Sequence, residues 1–266
     1  MRPAEFNYHA PKTLEEAFSL LSQLGDDAQI LAGGQSLIPA MNLRLARPKT
    51  LVDISKIENL NRIETNGNKI RIGALVTHSE IGSSVSLANK LTLFKDVSWH
   101  ISHPSVRNKG TFGGSLANAD PAAEWPSVLV ALKGEVSVSS SRGNRTINAN
   151  DFFRSFFTTT LEPDEIIVGA SVSLPEDYER WTWRFSEVAR QSGAFGIVLV
   201  VVGVSIDSER GFSDMTIVVG GCEPRPVELK VDDVVSFGDE VSVATVDEIV
   251  QQIPSSITPM GDINAT

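Results

Sequence analysis

Two short glycine-rich segments constrain this chain more than any other feature. One reads Ile30-Leu31-Ala32-Gly33-Gly34-Gln35-Ser36-Leu37; the other runs from Gly110 to Pro126 as GTFGGSLANADPAAEWP. In the first, adjacent glycines follow a short apolar run. Without a Cβ the chain can turn sharply there and leave its peptide N–H groups uncovered. Consecutive uncovered N–H groups make a concave anion site suited to a pyrophosphate. Gln35 and Ser36 add donors without adding charge. The second segment repeats the chemistry. Gly110, Gly113 and Gly114 expose backbone, and Thr111, Ser115 and Asn118 carry short hydrogen-bonding side chains. Glu124 follows as an acceptor for ribose hydroxyls, while Asp120 reads as the N-cap of a helix whose first residue is Pro121. Neither segment is G-x-G-x-x-G or a lysine-bearing P-loop, which argues against mononucleotide hydrolysis. One such loop is usually only a turn. Two, both lacking lysine, suit a dinucleotide held by neutral donors.

Composition narrows the classes further. The chain has 266 residues, 41% hydrophobic and 21% charged, enough for one large domain or two unequal ones. Its net charge of -10 repels nucleic acid and anionic lipid, so neither is expected as a partner. The single cysteine, Cys222, rules out an internal disulfide, a multi-cysteine zinc site and a self-contained iron–sulfur cluster. Cys222 itself is expected as a small buried residue. The four histidines form no ligand pattern: His78 is expected at the surface, and His103, before Pro104, in a structural role. No metal site is expected in the chain. No apolar signal core opens it and no run is long enough to span a bilayer, so a cytoplasmic location is expected. Hydrolase and metalloprotease signatures are absent.

Periodicity and turn chemistry suggest an α+β architecture. Thr13 with Glu16 forms a capping box before Leu14, Ala17, Phe18, Leu21 and Leu24, and Gly25 sits where a left-handed C-terminal residue is wanted. Short strands are predicted at residues 29–32 and 50–54. Asn66-Gly67 suits a type I′ hairpin between Ile63 and Ile70. Thr77 with Glu80 opens a helix, and residues 87–101 read as another. Strands at 135–139 and 165–174 follow, with a turn at Arg142-Gly143-Asn144. Trp181 and Trp183 alternate like one face of a strand. The character changes near Pro175-Glu176-Asp177, the candidate domain boundary. Beyond it lie a β-branched strand at 196–207, a turn at Ser208–Gly211, a second strand at 215–220 and a helix near 246–253.

Taken together, AGGQS (Ala32 to Ser36) and TFGGSLANADPAAEWP (Thr111 to Pro126) resemble the FAD-binding middle subunit of molybdenum hydroxylases. The likeness spans nearly the whole chain, including F-x-Y-x-x-P (Phe6 to Pro11), FFTTTLEPDEII (Phe156 to Ile167) and GGCEPRP (Gly220 to Pro226). It implies a two-lobed, vanillyl-alcohol-oxidase-like FAD-binding domain over residues 1–176. A small α/β lobe (about 1–55) would supply the first loop, and a larger lobe with a mixed sheet (about 56–176) the second. A C-terminal α+β domain (177–266), of the CO dehydrogenase flavoprotein type, would close over the flavin. Carried over, Ile30 to Leu37 would wrap the pyrophosphate. Ile101 would lie beside the cofactor. Gly110, Thr111, Gly114, Ser115, Ala117 and Asn118 would contact flavin and phosphates. Glu124 would reach a ribose, the backbone of Ile166 or Ile167 the adenine, and Phe195 the ring system.

The resemblance further implies three subunits, assembled as a dimer of heterotrimers. A large one would hold the molybdenum cofactor, a small one two [2Fe-2S] clusters, and this one FAD. Substrate, an N-heteroaromatic or related alkaloid, would be hydroxylated on the large subunit, and electrons would leave through FAD to an external acceptor. The chain departs from the pattern at FSEVARQSGAF (Phe185 to Phe195): Glu187 stands where relatives commonly carry lysine, and Ala194 replaces an aspartate. Two other readings stay open at this level: a self-sufficient flavoprotein oxidase of the vanillyl-alcohol-oxidase-like fold, and a flavin-free scaffold subunit.

Overall fold

The computed structural model describes residues 2–206, 211–230 and 242–261. Strands β1 (Asn7–His9), β2 (Ala28–Leu31) and β3 (Thr50–Asp53) pair in the order β1-β3-β2, all parallel. Parallel neighbours require crossovers. Helix α1 (Leu14–Leu24) supplies the first, and α2 (Leu37–Asn42) lies on the second. Ala17 and Leu21 of α1 pack with Val52 and Ile54, flanked by Leu14, Phe18 and Leu24, as the apolar spacing requires. The capping box at Thr13 is half formed. Thr13 Oγ1 accepts from Glu16 N at 3.2 Å, but the Glu16 carboxylate takes the Lys12 N–H at 2.7 Å instead. Gly25 has φ 52° and ψ −135°, so it ends α1 without entering the left-handed helical region.

The second unit holds a five-stranded sheet. Strands β4 (Ile63–Asn66), β5 (Lys69–Gly73), β6 (Glu135–Ser140) and β7 (Gly143–Asn148) are followed by the ribbon β8 (Phe153–Ser155) and β9 (Thr158–Thr159), then β10 (Ile166–Ser173). The sheet order is β4-β5-β10-β6-β7 and every pairing is antiparallel. The mixed sheet expected here is therefore not found; parallel pairing is confined to the small lobe. Both hairpin loops start one residue away from the expected positions. Asn66 pairs with Lys69, leaving Gly67-Asn68 as the loop, and Ser140 pairs with Gly143, leaving Ser141-Arg142. Of the first pair only Gly67 has positive φ (55°), the pattern of a type II′ rather than a type I′ turn.

Helices α3 (His78–Ser83), α4 (Val85–Lys90), α5 (Leu93–His100), α6 (Pro104–Arg107), α7 (Phe112–Asn118), α8 (Glu124–Ala131) and α9 (Ala149–Phe152) complete this unit. The Thr77–Glu80 capping box is fully formed at α3. The helix expected over 87–101 is two, broken where Leu91 adopts φ −155° and ψ 108°. All eight residues of α8 are buried. A helix enclosed on every side must sit between layers. Its Trp125, Val128 and Leu129 join Ile70, Ile72 and Val172 of the five-stranded sheet in the main core, while its other side meets the C-terminal sheet.

That last sheet is an antiparallel meander of β11 (Trp181–Ala189), β12 (Gly196–Ile206), β13 (Phe212–Gly220) and β14 (Val227–Leu229). Leu199, Val201 and Val218 are fully buried, and Val201 and Val218 join the main core with Trp183; Val198, Val200, Val202 and Val204 pack toward α10 (Val243–Ser256). Both faces of β12 are covered, which is why its sequence is continuously β-branched rather than alternating. Trp181 and Trp183 stack at 5.3 Å on one face of β11, as expected. The turn predicted at Ser208–Gly211 lies outside the described residues except for Gly211. No described helix is long and apolar enough to cross a membrane.

Candidate functional site

The two glycine segments, distant in sequence, meet in space. A Cβ placed on Gly33 would lie 2.1 Å from the Lys109 carbonyl oxygen and 2.9 Å from Gly110 Cα. Only glycine permits this approach. Gly34 turns the chain with φ +71°, a conformation that L side chains rarely adopt. Gln35, expected as a free donor, instead folds its side-chain amide back onto the Gly33 carbonyl at 3.0 Å. Among the described residues, no hydrogen bond takes up the peptide N–H groups of Gly33, Gly34, Gln35 or Ser36. Ile30 and Ala32 anchor the loop in the small-lobe core beside Ile166. Gln35→Ala therefore loses a bond that shapes the turn, and affinity for the expected FAD should fall by about 1 kcal/mol, readable as a roughly fivefold higher Kd in flavin titration.

The second segment is not a loop throughout. Residues 112–118 form α7, with Thr111 as N-cap accepting from Gly114 N at 3.1 Å. Phe112, Gly113 and Leu116 face the core; Gly114, Ser115 and Asn118 are partly exposed, and Ala117 is exposed. The expected contact residues thus share the outer side of one helix. Glycine content argued for a loop, but Gly113 is required by packing: its Cβ would meet that of Ala74 at 2.5 Å. Phe112 N and Gly113 N donate to the Val76 and Ala74 carbonyls at 2.9 Å each, which pins the helix start to the segment after β5. Asp120 is not an N-cap. Its Oδ1 accepts from Ala122 N at 3.0 Å within a turn, and the next helix starts at Glu124.

A brace behind the loops was not foreseen. His78 is buried rather than at the surface. Its Nδ1 accepts from Trp125 Nε1 at 2.9 Å, and its Nε2 lies 2.8 Å from where a Gly110 Cβ would stand. Gly110 also accepts from His78 N at 3.1 Å. Loss of water around the ring, and then the positive Arg107, lower the His78 pKa to about 4, so the imidazole is neutral. A buried indole needs an acceptor; nothing in the local sequence says that His78 is the one.

The remaining expected residues fall in distinct places. Ile101 is buried, and Arg107 holds the Ile101 and Ser102 carbonyls at 3.0 and 2.7 Å. Ser102 has φ 42°, and Gly193 of the β11–β12 connection packs directly on Ser102 and His103. Phe195, two residues on, is 63% exposed. The side chains of Ile166 and Ile167 are buried; pairing of β10 with β5 begins only at Gly169, so their backbone is unpaired with β5 on that edge. Glu124 is enclosed, and burial, with help from Glu187 and Asp120, pushes its pKa up to about 8. Cys222 is half-buried, and burial raises its thiol pKa, which disfavours a nucleophilic role.

Bare peptides, a junction with no room for a side chain, and short neutral donors fit a dinucleotide phosphate better than any acid–base set. Comparison with known proteins agrees. Residues 4–177 match the model for the FAD binding domain in molybdopterin dehydrogenase, and residues 183–266 that for the CO dehydrogenase flavoprotein C-terminal domain. The chain is 38% identical to the nicotine 6-hydroxylase medium subunit of Paenarthrobacter nicotinovorans, over 100% of this chain and 92% of that one. It is 37% identical to the carbon monoxide dehydrogenase medium chain of Hydrogenophaga pseudoflava, over 73% and 67%. Among solved structures, carbon monoxide dehydrogenase from Hydrogenophaga pseudoflava superposes with a TM-score of 0.94 at 30% identity, covering 100% of this chain and 92% of that one. Quinoline 2-oxidoreductase from Pseudomonas putida 86 gives 0.94 at 31%, covering 100% and 91%. The chain therefore belongs to the FAD-binding medium subunits of the molybdenum hydroxylases.

Proposed function

We propose that this chain is the electron-exit subunit of a cytoplasmic heterotrimeric molybdenum hydroxylase, assembled as a dimer of heterotrimers. Electrons arrive from [2Fe-2S] clusters on a small subunit, while substrate is hydroxylated at the molybdenum cofactor of a large one. The observation that carries the reading is the Gly33–Lys109 junction, where two bare-peptide segments touch with space for no side chain. Bound FAD supplies the exchange between two-electron and one-electron chemistry. The chain's own part is to bind and orient. Peptides of Ala32 to Ser36 would hold the pyrophosphate, between Leu31 and Leu37. The outer side of α7, with Gly110 and Thr111, would line the flavin, and Ile101 and Phe195 would flank it. Ile166 or Ile167 would meet the adenine through backbone, and Glu124 would accept from a ribose hydroxyl. With one cysteine the chain has too few thiolates for a cluster of its own, which assigns those centres to partners. The N-heteroaromatic class is supported by relatives named for nicotine and quinoline.

The test is a division of labour. A Cβ on Gly114 would stand 2.8 Å from Thr111 Oγ1, so Gly114→Val displaces the N-cap and should yield an assembled complex without flavin. Substrate should still bleach the iron–sulfur absorbance in a single turnover, followed by stopped flow, because those steps come before this subunit. Steady-state transfer to the acceptor should fall by at least roughly 100-fold, as for loss of an obligatory group. Normal turnover in an assembled, flavin-free complex would mean that electrons bypass the chain, and the scaffold reading would replace this one.

A further inference from the structure

The face of the C-terminal sheet turned away from α8 holds a cavity. Side chains alternate along a strand. On β12, Val201 joins the main core, while Val200, Val202 and Val204 turn to the other face. On β11, Trp183 joins the same core, while Thr182 and Arg184 are exposed opposite it. Helix α10 lies on this outer face and covers only part of it. At 100° per residue, Ile249, Ile253, Val246, Val250 and Val243 span one apolar arc of roughly 120°. Ile249, at one edge of the arc, is buried; Val246, Val250 and Val243, toward the other, are 44%, 55% and 79% exposed. Between this half-covered arc and the valines of β12 lies a space of about 490 Å³. Phe212 and Ile217 of β13, both buried, line its deep side, and Thr182 and Arg184 form its rim on the edge strand.

The chemistry of the walls is one-sided. Among the described residues that line the space, Arg184 is the one ionisable side chain and Thr182 the one hydroxyl. Arg184 Nη1 donates to the Trp183 carbonyl at 2.9 Å, and no ion pair among the described residues involves Arg184. The rest of its planar fork is therefore open to a carboxylate, which it can hold edge-on through two parallel bonds. The volume lies within the about 300–1,000 Å³ of small-molecule sites. A helix about 10 Å across occupies on the order of 400 Å³ in a single turn. The space holds about one turn, short of the two turns over which a docked helix sets its anchors. An extended peptide would bring N–H and C=O groups that valine walls leave unsatisfied. A hydrocarbon chain with a single anionic end matches both the walls and the rim.

We infer that this cavity is a binding site for an amphipathic acid of the fatty-acid type, its chain held between α10 and β12 and its carboxylate on Arg184, with Thr182 beside it as a second donor. The occupant covers the apolar arc that the sheet leaves exposed and joins α10 to the edge strand. The site is separate from the cofactor loops, which lie in other elements.

The experiment uses the purified full-length chain, stripped of lipid and titrated calorimetrically with straight-chain carboxylates from hexanoate to dodecanoate, below their micelle concentrations. A single site should saturate. Affinity should rise by about fourfold for each added methylene until the cavity is full, and then level off. Decanoate should bind about fivefold more tightly than 1-decanol, the gain expected of an ion pair at an exposed rim. Arg184→Gln should erase that difference, and Val202→Trp, which fills the floor, should abolish binding. Should Val202→Trp fail to fold, Val250→Glu decides, because this wall residue is already 55% exposed and the fold accepts a charge there; undiminished decanoate binding in that variant rejects the site. No saturable binding at any chain length, or equal affinity for decanoate and 1-decanol in the wild type, overturns the inference. Self-association in sedimentation that Val202→Trp abolishes also overturns it, by making a second copy the occupant. Flavin content, measured in each variant, keeps failure of this site distinct from failure of the cofactor reading.

Discussion

Alanine at position 33 is expected to leave the chain folded and without flavin. The added methyl would stand 2.1 Å from a carbonyl oxygen, far inside contact distance, and both atoms belong to backbone. The small lobe and the second segment must separate to admit it. Overpacking of this kind costs about 3 kcal/mol, or roughly two orders of magnitude in cofactor affinity. The neighbouring substitution should be milder. At Gly34 the positive φ costs about 1 kcal/mol, and the nearest atoms, Ile38 Cγ1 at 3.1 Å and Leu31 Cδ1 at 3.2 Å, sit on side chains that can shift. The check is flavin absorbance of the purified proteins alongside circular dichroism. Equal occupancy in Gly33→Ala and wild type, with normal dichroism, would remove the junction from the cofactor site.

The second large effect is acid sensitivity from His78. Its pKa is about 4 in the folded chain against 6.5 when unfolded. A depressed pKa means stability that is whole above pH 6.5 and is lost as pH falls toward 4. The size is about 3 kcal/mol, from roughly 1.4 kcal/mol per pH unit. Glu124 works in the opposite sense. With its pKa raised to about 8, its contribution is whole below about 4.5 and is lost as pH rises through 8. The two slopes oppose each other near pH 5 to 6, so the raw profile hides both. Subtracting the urea-unfolding profile of His78→Gln, which keeps an acceptor for Trp125 but does not titrate, isolates the histidine. A difference curve flat between pH 6.5 and 4 would show that the ring is not held neutral in the fold.

What could be read in advance follows the range of the interactions. The Thr77–Glu80 box and the α1 stripe depend on neighbours three or four residues apart, and both formed, as did the β-branched strand β12. The pair of glycine segments was legible because close backbone approach leaves a compositional mark. Helix α7 was not. FGGSLAN is a poor helix by propensity, and it forms because Thr111 caps it and Gly113 must press against Ala74. The break at Leu91 and the half-formed box at Thr13 were equally out of reach, since each turns on a single backbone bond or angle. In the site, His78 and Trp125 find each other across 47 residues, and burial, not sequence context, sets the raised pKa of Glu124. No local pattern announces such pairs.

The Gly33–Lys109 junction also sets an order of events during synthesis. Once β3 has left the ribosome, the parallel sheet and α1 of the small lobe can collapse on their own contacts, but the core they belong to is closed only by Leu75 and Ile166. Its glycine turn then has nothing to rest on. The surface it needs is made by Lys109 and Gly110, and that surface is backed by His78 against Trp125, the last of these to emerge. Closing contacts so distant along the chain is slow compared with local collapse. Cofactor capture is thus a late step in biogenesis: a nascent chain stalled before Trp125 carries both glycine segments, but neither the Trp125 brace on His78 nor the Ile166 packing that closes the small-lobe core.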